Sequence, residues 1–152
     1  MLWSCLLLLS TAGYAQRQAV DLPVQAYLVG QWSAGHMTPE GATTAVRQFC
    51  QRRVAAALPG HLRGDLQWQH AELRDLPGQG WRFLTYWRQG ETRIAARFDL
   101  VLKPAGLYLL EVGDCQLCYC TDCEAVDLDP AGPGCACAGE AACTYVMETA
   151  LH

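Results

Sequence analysis

Basic side chains are missing from the C-terminal part of the chain. Residues 111–152 contain no lysine or arginine but hold eight acidic residues, whereas residues 16–110 hold eleven basic and seven acidic ones. The two parts therefore carry net charges of −8 and +4. Such a small positive excess beside an acidic tail would attract phosphate groups poorly, so we expect no nucleic-acid partner.

Long apolar runs are scarce, and the one that stands out lies at the N-terminus. Residues 2–12 are mostly apolar, and Gly13 and Ala15 then place small residues at the −3 and −1 positions before Gln16. This pattern is typical of a secretory signal peptide, although its first residues lack lysine and arginine. No second apolar run of about 18 residues follows. We expect residues 1–15 to be a signal peptide and the mature chain to be secreted or periplasmic, without a transmembrane segment.

A catalytic constellation is also missing. The four histidines show no spacing to one another, or to carboxylates, that is typical of a triad or a metal site. We therefore predict no enzymatic activity, no catalytic residue and no cofactor, unless zinc is held by the cysteines considered next.

Cysteine, in contrast, is abundant, with nine in the chain. Seven are clustered near the C-terminus: Cys115, Cys118, Cys120, Cys123, Cys135, Cys137 and Cys143. Cys5 belongs to the predicted signal peptide and Cys50 to a predicted helix. The mature chain would keep eight cysteines, and an even number is what paired cysteines in an exported protein require.

Disulfide bonding is the favoured interpretation, with Cys50 and the seven tail cysteines as candidates. The pairing cannot be deduced from the sequence. Neighbours in a C-x-C motif rarely bond to each other without strain, so Cys118 and Cys120 should have different partners, as should Cys135 and Cys137. If Cys50 is instead a free core thiol, one tail cysteine is left for a metal site, a free thiol or an intermolecular disulfide.

Metal binding by the seven tail cysteines is the alternative. The C-x2-C and C-x-C spacings resemble a metallothionein or zinc-knot segment, which implies zinc or cuprous copper as ligand. The charge argues against this, because a zinc ion held by four thiolates keeps two negative charges and the tail has no cation. Metallothioneins, unlike this chain, place lysines among their cysteines. The same lack of cations disfavours a reactive thiolate in either C-x2-C motif, and so a thiol–disulfide exchanger.

In the body, residues 16–112, the apolar residues recur every 3.6 residues in one segment, as in a helix, and every second residue in the others, as in strands. We predict a strand at 24–32, a helix at 39–58 with Thr38 as N-cap, and strands at 66–75, 81–88, 93–102 and 107–112. The predicted fold class is α+β, with one helix packed on a four- to five-stranded antiparallel meander and an irregular cysteine-rich tail at 113–152. This order resembles cystatin-like roll folds in topology alone. The Gln-x-Val-x-Gly turn of cystatins is missing after the helix, so no protease inhibition is inferred.

Arginines recur along the helix and the predicted sheet. They are Arg47, Arg52, Arg82, Arg88, Arg93 and Arg97. A solvated face is the favoured interpretation, and the alternative is a surface that receives the acidic tail of the same or another copy. Together these observations predict a secreted, non-enzymatic module that binds an unknown protein or small ligand and has a disulfide-stabilised tail. Soft-metal binding is the alternative function.

Overall fold

The computed structural model describes residues 25–139 and 142–149. The predicted signal peptide lies outside these residues. The elements, in chain order, are β1 (Ala26–Ser33), β2 (His36–Pro39), α1 (Thr44–Ala57), β3 (Gln67–Leu76), β4 (Gly80–Gln89), β5 (Thr92–Lys103), β6 (Gly106–Leu110), β7 (Cys115–Thr121), β8 (Ala125–Leu128), β9 (Cys135–Ala138) and β10 (Thr144–Glu148). A short 3₁₀ turn at Gly60–Leu62 follows the helix. In the described part of the chain, no helix has the length and apolar character needed to cross a membrane.

Strand β5 organises one curled, antiparallel sheet of eight strands. Strands β3, β4 and β5 form a meander. The edge of β5 that does not face β4 pairs with two strands, β7 and β6, one after the other. Strand β7 pairs with residues 92–98 of β5, and β6 pairs with residues 100–103. Strand β1 extends the sheet from β6, β2 from β1, and β10 from β7. Strands β8 and β9 form a separate hairpin.

The inner face of the sheet packs against α1 and forms the main core. Val46, Phe49 and Val54 point from the helix toward Phe83 and Phe98 of the sheet, and all five are buried. This confirms the buried side of the helix that the 3.6-residue spacing predicts. Residues 94–98 of β5 are all buried, as is usual for a strand with two covered faces.

The outer face of the same sheet carries a second, smaller core. Ala95 of β5 and Cys118 and Cys120 of β7 contact Val126 and Leu128 of β8. The β8–β9 hairpin therefore covers the outer face while the helix covers the inner one. The central strands are buried on both sides.

The helix begins later than predicted. Thr43, and not Thr38, is the N-cap, and its hydroxyl accepts a hydrogen bond from the backbone N–H of Val46 at 3.3 Å. Thr38 lies instead in β2, paired with Gln31 of β1. Thr38 and Pro39 carry a good local start signal for a helix, but hydrogen bonding to a neighbouring strand outweighs it here.

The predicted fold class is wrong. The chain is mostly β, with 56% of the described residues in strands, and its sheet has eight strands instead of four or five. A helix does cover an antiparallel meander, but the tail is not irregular, because β7 and β10 belong to the sheet. The cysteines of β7 are the reason why this strand was not predicted. A buried cysteine packs like a small apolar residue, so Cys115, Leu117 and Tyr119 form one alternating strand face that the sequence interpretation treated as part of a loop-built tail.

Candidate functional site

The chain after β7 folds back over the outer face of the sheet. We call residues 122–139 the cap. It contains the β8–β9 hairpin, in which Val126 pairs with Cys137 and Leu128 with Cys135. Strand β8 packs against β5 and β7. The cap brings the tail cysteines to one place and is therefore the candidate functional site.

Six of the seven tail cysteines form three pairs at disulfide distance. Cys118 pairs with Cys135, Cys120 with Cys123, and Cys137 with Cys143, with Cα–Cα distances of 5.6, 6.0 and 6.4 Å. These separations suit disulfide bonds. The first pair joins β7 to β9, and the third joins β9 to the residue before β10. The pairs thus tie the cap to the sheet at both β7 and β10.

Two of these pairs meet. The sulfur atoms of Cys120, Cys137 and Cys143 all lie within 4.8 Å of one another, and Cys123 is the partner of Cys120. We call Cys120, Cys123, Cys137 and Cys143 the sulfur cluster. Three sulfurs this close can share one soft metal ion when they are reduced.

Arginine side chains hold the cap through its backbone. Arg97 is 4% exposed, and its guanidinium donates to the carbonyl oxygens of Asp129 at 3.0 Å and Gly132 at 3.2 Å, and to the side chain of Gln116. Burial, and then the nearby charge of Arg82, lower the pKa of Arg97. Arg97 of β5 therefore holds the loop between β8 and β9 against the outer face of the sheet.

Arg93 reaches the sulfur cluster from the neighbouring strand. It lies opposite Cys120 in the β5–β7 pairing, and its Nε donates to the carbonyl oxygen of Cys123 at 3.0 Å. A cation thus lies beside cysteines that have none nearby in sequence. The sequence pattern marks Arg93 as a basic residue of a strand but contains no signal for this contact.

Two ion pairs that the sequence interpretation did not anticipate also join body and tail. Arg74 of β3 contacts Asp127 of β8 at 3.1 Å, and Arg53 of α1 contacts Glu148 of β10 at 3.1 Å. Arg53 also donates to the carbonyl oxygens of Glu111 and Gly113. The basic body does receive the acidic tail of its own chain. Of the six arginines singled out above, Arg93 and Arg97 contact the tail, and they do so through carbonyl oxygens and not through carboxylates.

A groove of about 370 Å³ runs between β3 and β8. Its walls include His70, Glu72, Arg74, Tyr86 and Asp127. The Tyr86 hydroxyl donates to Asp127 at 3.1 Å, and the His70 ring stacks on Tyr86 with centroids 4.3 Å apart. Burial, and then the charge of Asp127, raise the pKa of Tyr86, so its hydroxyl stays protonated and keeps donating at neutral pH. The groove has one aromatic wall and one charged wall.

The other two cysteines among the described residues, Cys50 and Cys115, have no disulfide partner there and have no exposed surface. They lie on facing elements of the main core, α1 and β7. Burial raises the pKa of Cys115 to about 12, and burial and then the neighbouring Cys115 raise the pKa of Cys50. A sulfur without exposed surface cannot reach another molecule in the folded state, which argues against an intermolecular disulfide through Cys50.

These two thiols should make the stability of the folded chain depend on pH. Both carry folded-state pKa values above the ordinary value of 9.0. The unfolded chain therefore releases their protons first, and the free energy of unfolding falls as the pH rises from about 9 toward 12, by up to about 1.4 kcal/mol per pH unit for each thiol. Urea denaturation at about pH 8 and pH 10 measures the decrease.

The matched control is the double variant Cys50→Ala, Cys115→Ala. It should show a smaller decrease in stability between the two pH values than the unchanged chain. Equal decreases would show that the two thiols are not buried as free thiols.

Comparison with known proteins finds little. A tRNA dimethylallyltransferase of Synechococcus sp. (strain JA-3-3Ab) is 35% identical over 99 residues, which is 64% of this chain but 25% of that protein. The chain thus spans about a quarter of the length of this curated relative. No protein-family model matches the chain, and no solved structure matches it.

Proposed function

We propose that the chain acts outside the cytoplasm as a non-enzymatic binding module whose cap is locked onto the sheet by disulfide bonds. The arrangement of the three cysteine pairs carries this proposal. All three lie in the tail, and they link a hairpin of only four residues per strand to β7 and β10. So short a hairpin is marginal on its own, and covalent links stabilise it most effectively where thiols are oxidised.

The groove beside the cap is the proposed binding site. Its volume of about 370 Å³ is within the range of small-molecule sites, and one wall of it belongs to β8 of the cap. The stacked rings of His70 and Tyr86 offer an apolar surface, and Glu72 and Arg74 offer charge. A small ligand, or one side chain of a protein partner, would fit there.

Binding is a better match to this groove than catalysis. The polar groups in its walls are bonded to one another, since Arg74 pairs with both Glu72 and Asp127 and Tyr86 donates to Asp127. Such a network fixes the orientation of the few polar groups that a bound ligand would meet, which suits recognition. A nucleic acid is a poor candidate partner, because the chain has a net charge of −4.

The intact mass of the exported full-length chain tests this proposal. We expect a mature protein that begins at Gln16 and lacks about six hydrogens, two for each cysteine pair, with two thiols that react only after unfolding. A small ligand would appear as extra mass in the native spectrum. The variant His70→Ala should lose that mass, and the matched variant His61→Ala, which changes an exposed histidine on the 3₁₀ turn, should keep it.

Several results would contradict the proposal. Retention of residues 1–15 in an unprocessed cytoplasmic chain would exclude the exported location. Eight alkylatable thiols in freshly exported protein would exclude the disulfides. A native spectrum without extra mass after incubation with an extracellular metabolite mixture would argue against a small ligand.

Soft-metal binding is a second candidate function. One specific observation favours it, the convergence of the sulfurs of Cys120, Cys137 and Cys143 within 4.8 Å. Zinc and cuprous copper are the ions that such thiolate groups prefer.

A further inference from the structure

We infer that Cys120, Cys123, Cys137 and Cys143, when reduced, form a four-thiolate site for one soft divalent cation of the Zn²⁺ type. The sulfur cluster alone would supply the ligands, and Cys118 and Cys135 would take no part. This inference deepens the second candidate function, metal binding, and is independent of the proposed ligand groove.

The distances within the cluster suit a tetrahedral thiolate site. In such a site the Zn–S distance is about 2.3 Å, which places the sulfurs about 3.8 Å apart. The sulfurs of Cys120, Cys137 and Cys143 are mutually within 4.8 Å already, so the ion needs only small side-chain movements to bind them. Cys123 lies outside this group of three, but its sulfur adjoins that of Cys120 across a C-x2-C turn, so it would move toward the ion as the fourth ligand.

Secondary structure holds the backbone of these ligands in place without the sulfur–sulfur bonds. Cys120 lies in β7, opposite Arg93 of β5, and Cys137 lies in β9, opposite Val126 of β8. Cys143 directly precedes β10, which pairs with β7. Strand pairing therefore sets the positions of these three ligands, and reduction of the cysteine pairs removes covalent bonds without removing these hydrogen bonds.

The Cys118–Cys135 pair lies apart from the sulfur cluster. Cys118 and Cys135 pair with each other at a Cα–Cα distance of 5.6 Å, and Cys118 packs beneath the cap with Ala95 and Leu128. Neither belongs to the group of three converging sulfurs, and neither is paired with a member of it, whereas Cys123 is the partner of Cys120. This separation divides the tail cysteines into one covalent link between β7 and β9 and one four-sulfur site.

In the sequence, the lack of basic residues in the tail argues against thiolates. In the folded chain, however, an arginine of the body lies next to the tail cysteines. Four thiolates around one Zn²⁺ leave a net charge of −2. The tail has no basic residue, but Arg93 lies across from Cys120 and donates to the carbonyl oxygen of Cys123. Its positive charge offsets part of the negative charge next to the C-x2-C turn and favours the thiolate form.

The same four sulfurs can hold either one ion or two disulfides, so oxidation competes with metal. Two equivalents of a disulfide reagent would oxidise the four thiolates to the Cys120–Cys123 and Cys137–Cys143 pairs. The reagent would be reduced to its thiols, and the ion would be released. The metal-bound form is therefore a property of the reduced chain.

The zinc content of the full chain, expressed and purified under reducing conditions, tests the inference. We expect about one Zn²⁺ per chain, and less than about 0.2 after Cys120→Ser, Cys123→Ser, Cys137→Ser or Cys143→Ser. The matched variants Cys118→Ser and Cys135→Ser should keep about one. The visible absorption of bound Co²⁺ gives a second measurement, since it reports thiolate ligation in any variant that stays folded by circular dichroism.

The outcomes separate this inference from the wider metal-binding function. No metal in the reduced, folded chain would overturn both. Metal that is lost equally in Cys118→Ser and Cys120→Ser would overturn the four-ligand set and leave metal binding standing. Metal that is retained after any one of the four cluster substitutions would also overturn the set, because that cysteine would then not be a ligand.

Discussion

Replacing Arg97 with methionine should lower the free energy of unfolding by about 3 kcal/mol. The change removes the donors to the carbonyl oxygens of Asp129 and Gly132 and to the side chain of Gln116. Hydrogen bonds from a charged donor contribute more than neutral ones, and buried carbonyls left without a partner are costly. Burial of the guanidinium itself works in the opposite direction, because Nε of Arg97 has no hydrogen-bond partner among residues 25–139 and 142–149. The expected loss is therefore smaller than the sum of the separate bonds.

Urea denaturation measures this loss, and hydrogen exchange locates it. The backbone N–H of Asp129 donates to the carbonyl of Gly134 within the loop that Arg97 holds, so its exchange should become faster in the variant. The control is Arg88→Met. Arg88 pairs with the exposed Glu91 at 3.7 Å, and a pair of this kind contributes less than about 1 kcal/mol. If both variants lose the same stability, Arg97 does not anchor the cap.

Replacing Gly106 with alanine should lower the free energy of unfolding by a similar amount, about 3 kcal/mol. Gly106 has a φ of +152° and lies where β6 starts beside β1. A Cβ atom there would overlap the carbonyl oxygen of Gly30 and would come within 3.0 Å of the Leu28 side chain. Since the overlap is with backbone, a side-chain rotation cannot relieve it, and β1 has to move away from β6.

Gly64→Ala is the matched control for this variant. A Cβ at Gly64 would have no neighbour within 4 Å, and its backbone is not in the positive-φ region. Its stability in urea should stay within about 0.5 kcal/mol of the unchanged chain. An equally mild effect at Gly106 would show that β1 and β6 approach each other less closely than described.

The two variants probe opposite halves of the sheet. Gly106 lies where β6 pairs with β1 and with the end of β5, whereas Arg97 lies where β5 pairs with β7 below the cap. Strand β5 joins both halves because it is twelve residues long and bonds to β6 with its end and to β7 with its start. The Arg97→Met variant, which should loosen only the cap, should therefore leave the hydrogen-exchange rates of the backbone amides of β1 unchanged.

Short-range patterns account for the parts of the fold that were predicted correctly. Val46, Phe49, Cys50 and Val54 recur with the helical period, and all four are buried as expected. The period of two in Phe83, Thr85 and Trp87 predicts β4, and the predicted strands before and after it form the meander. These features depend on neighbours a few residues away, so the sequence carries them directly.

The arrangement of the tail depends on partners far away in the chain. Strand β7 lies beside β5 because Leu117 and Tyr119 complete the main core, and Arg93 and Arg97 hold the cap from a strand about 30 residues upstream. Residue spacing contains no record of which strand will be the neighbour. For this reason the predicted irregular tail was wrong.

The sequence by itself determined a core helix, an antiparallel meander and a cysteine-rich, acidic tail. Only the tertiary structure decided that the tail completes an eight-stranded sheet, which cysteines approach each other, and that Arg93 lies beside them. The physical reason is that cysteine is both a small apolar residue and a cross-linking one. Its role is set by the side chains that surround it in the folded chain, and not by its spacing along the sequence.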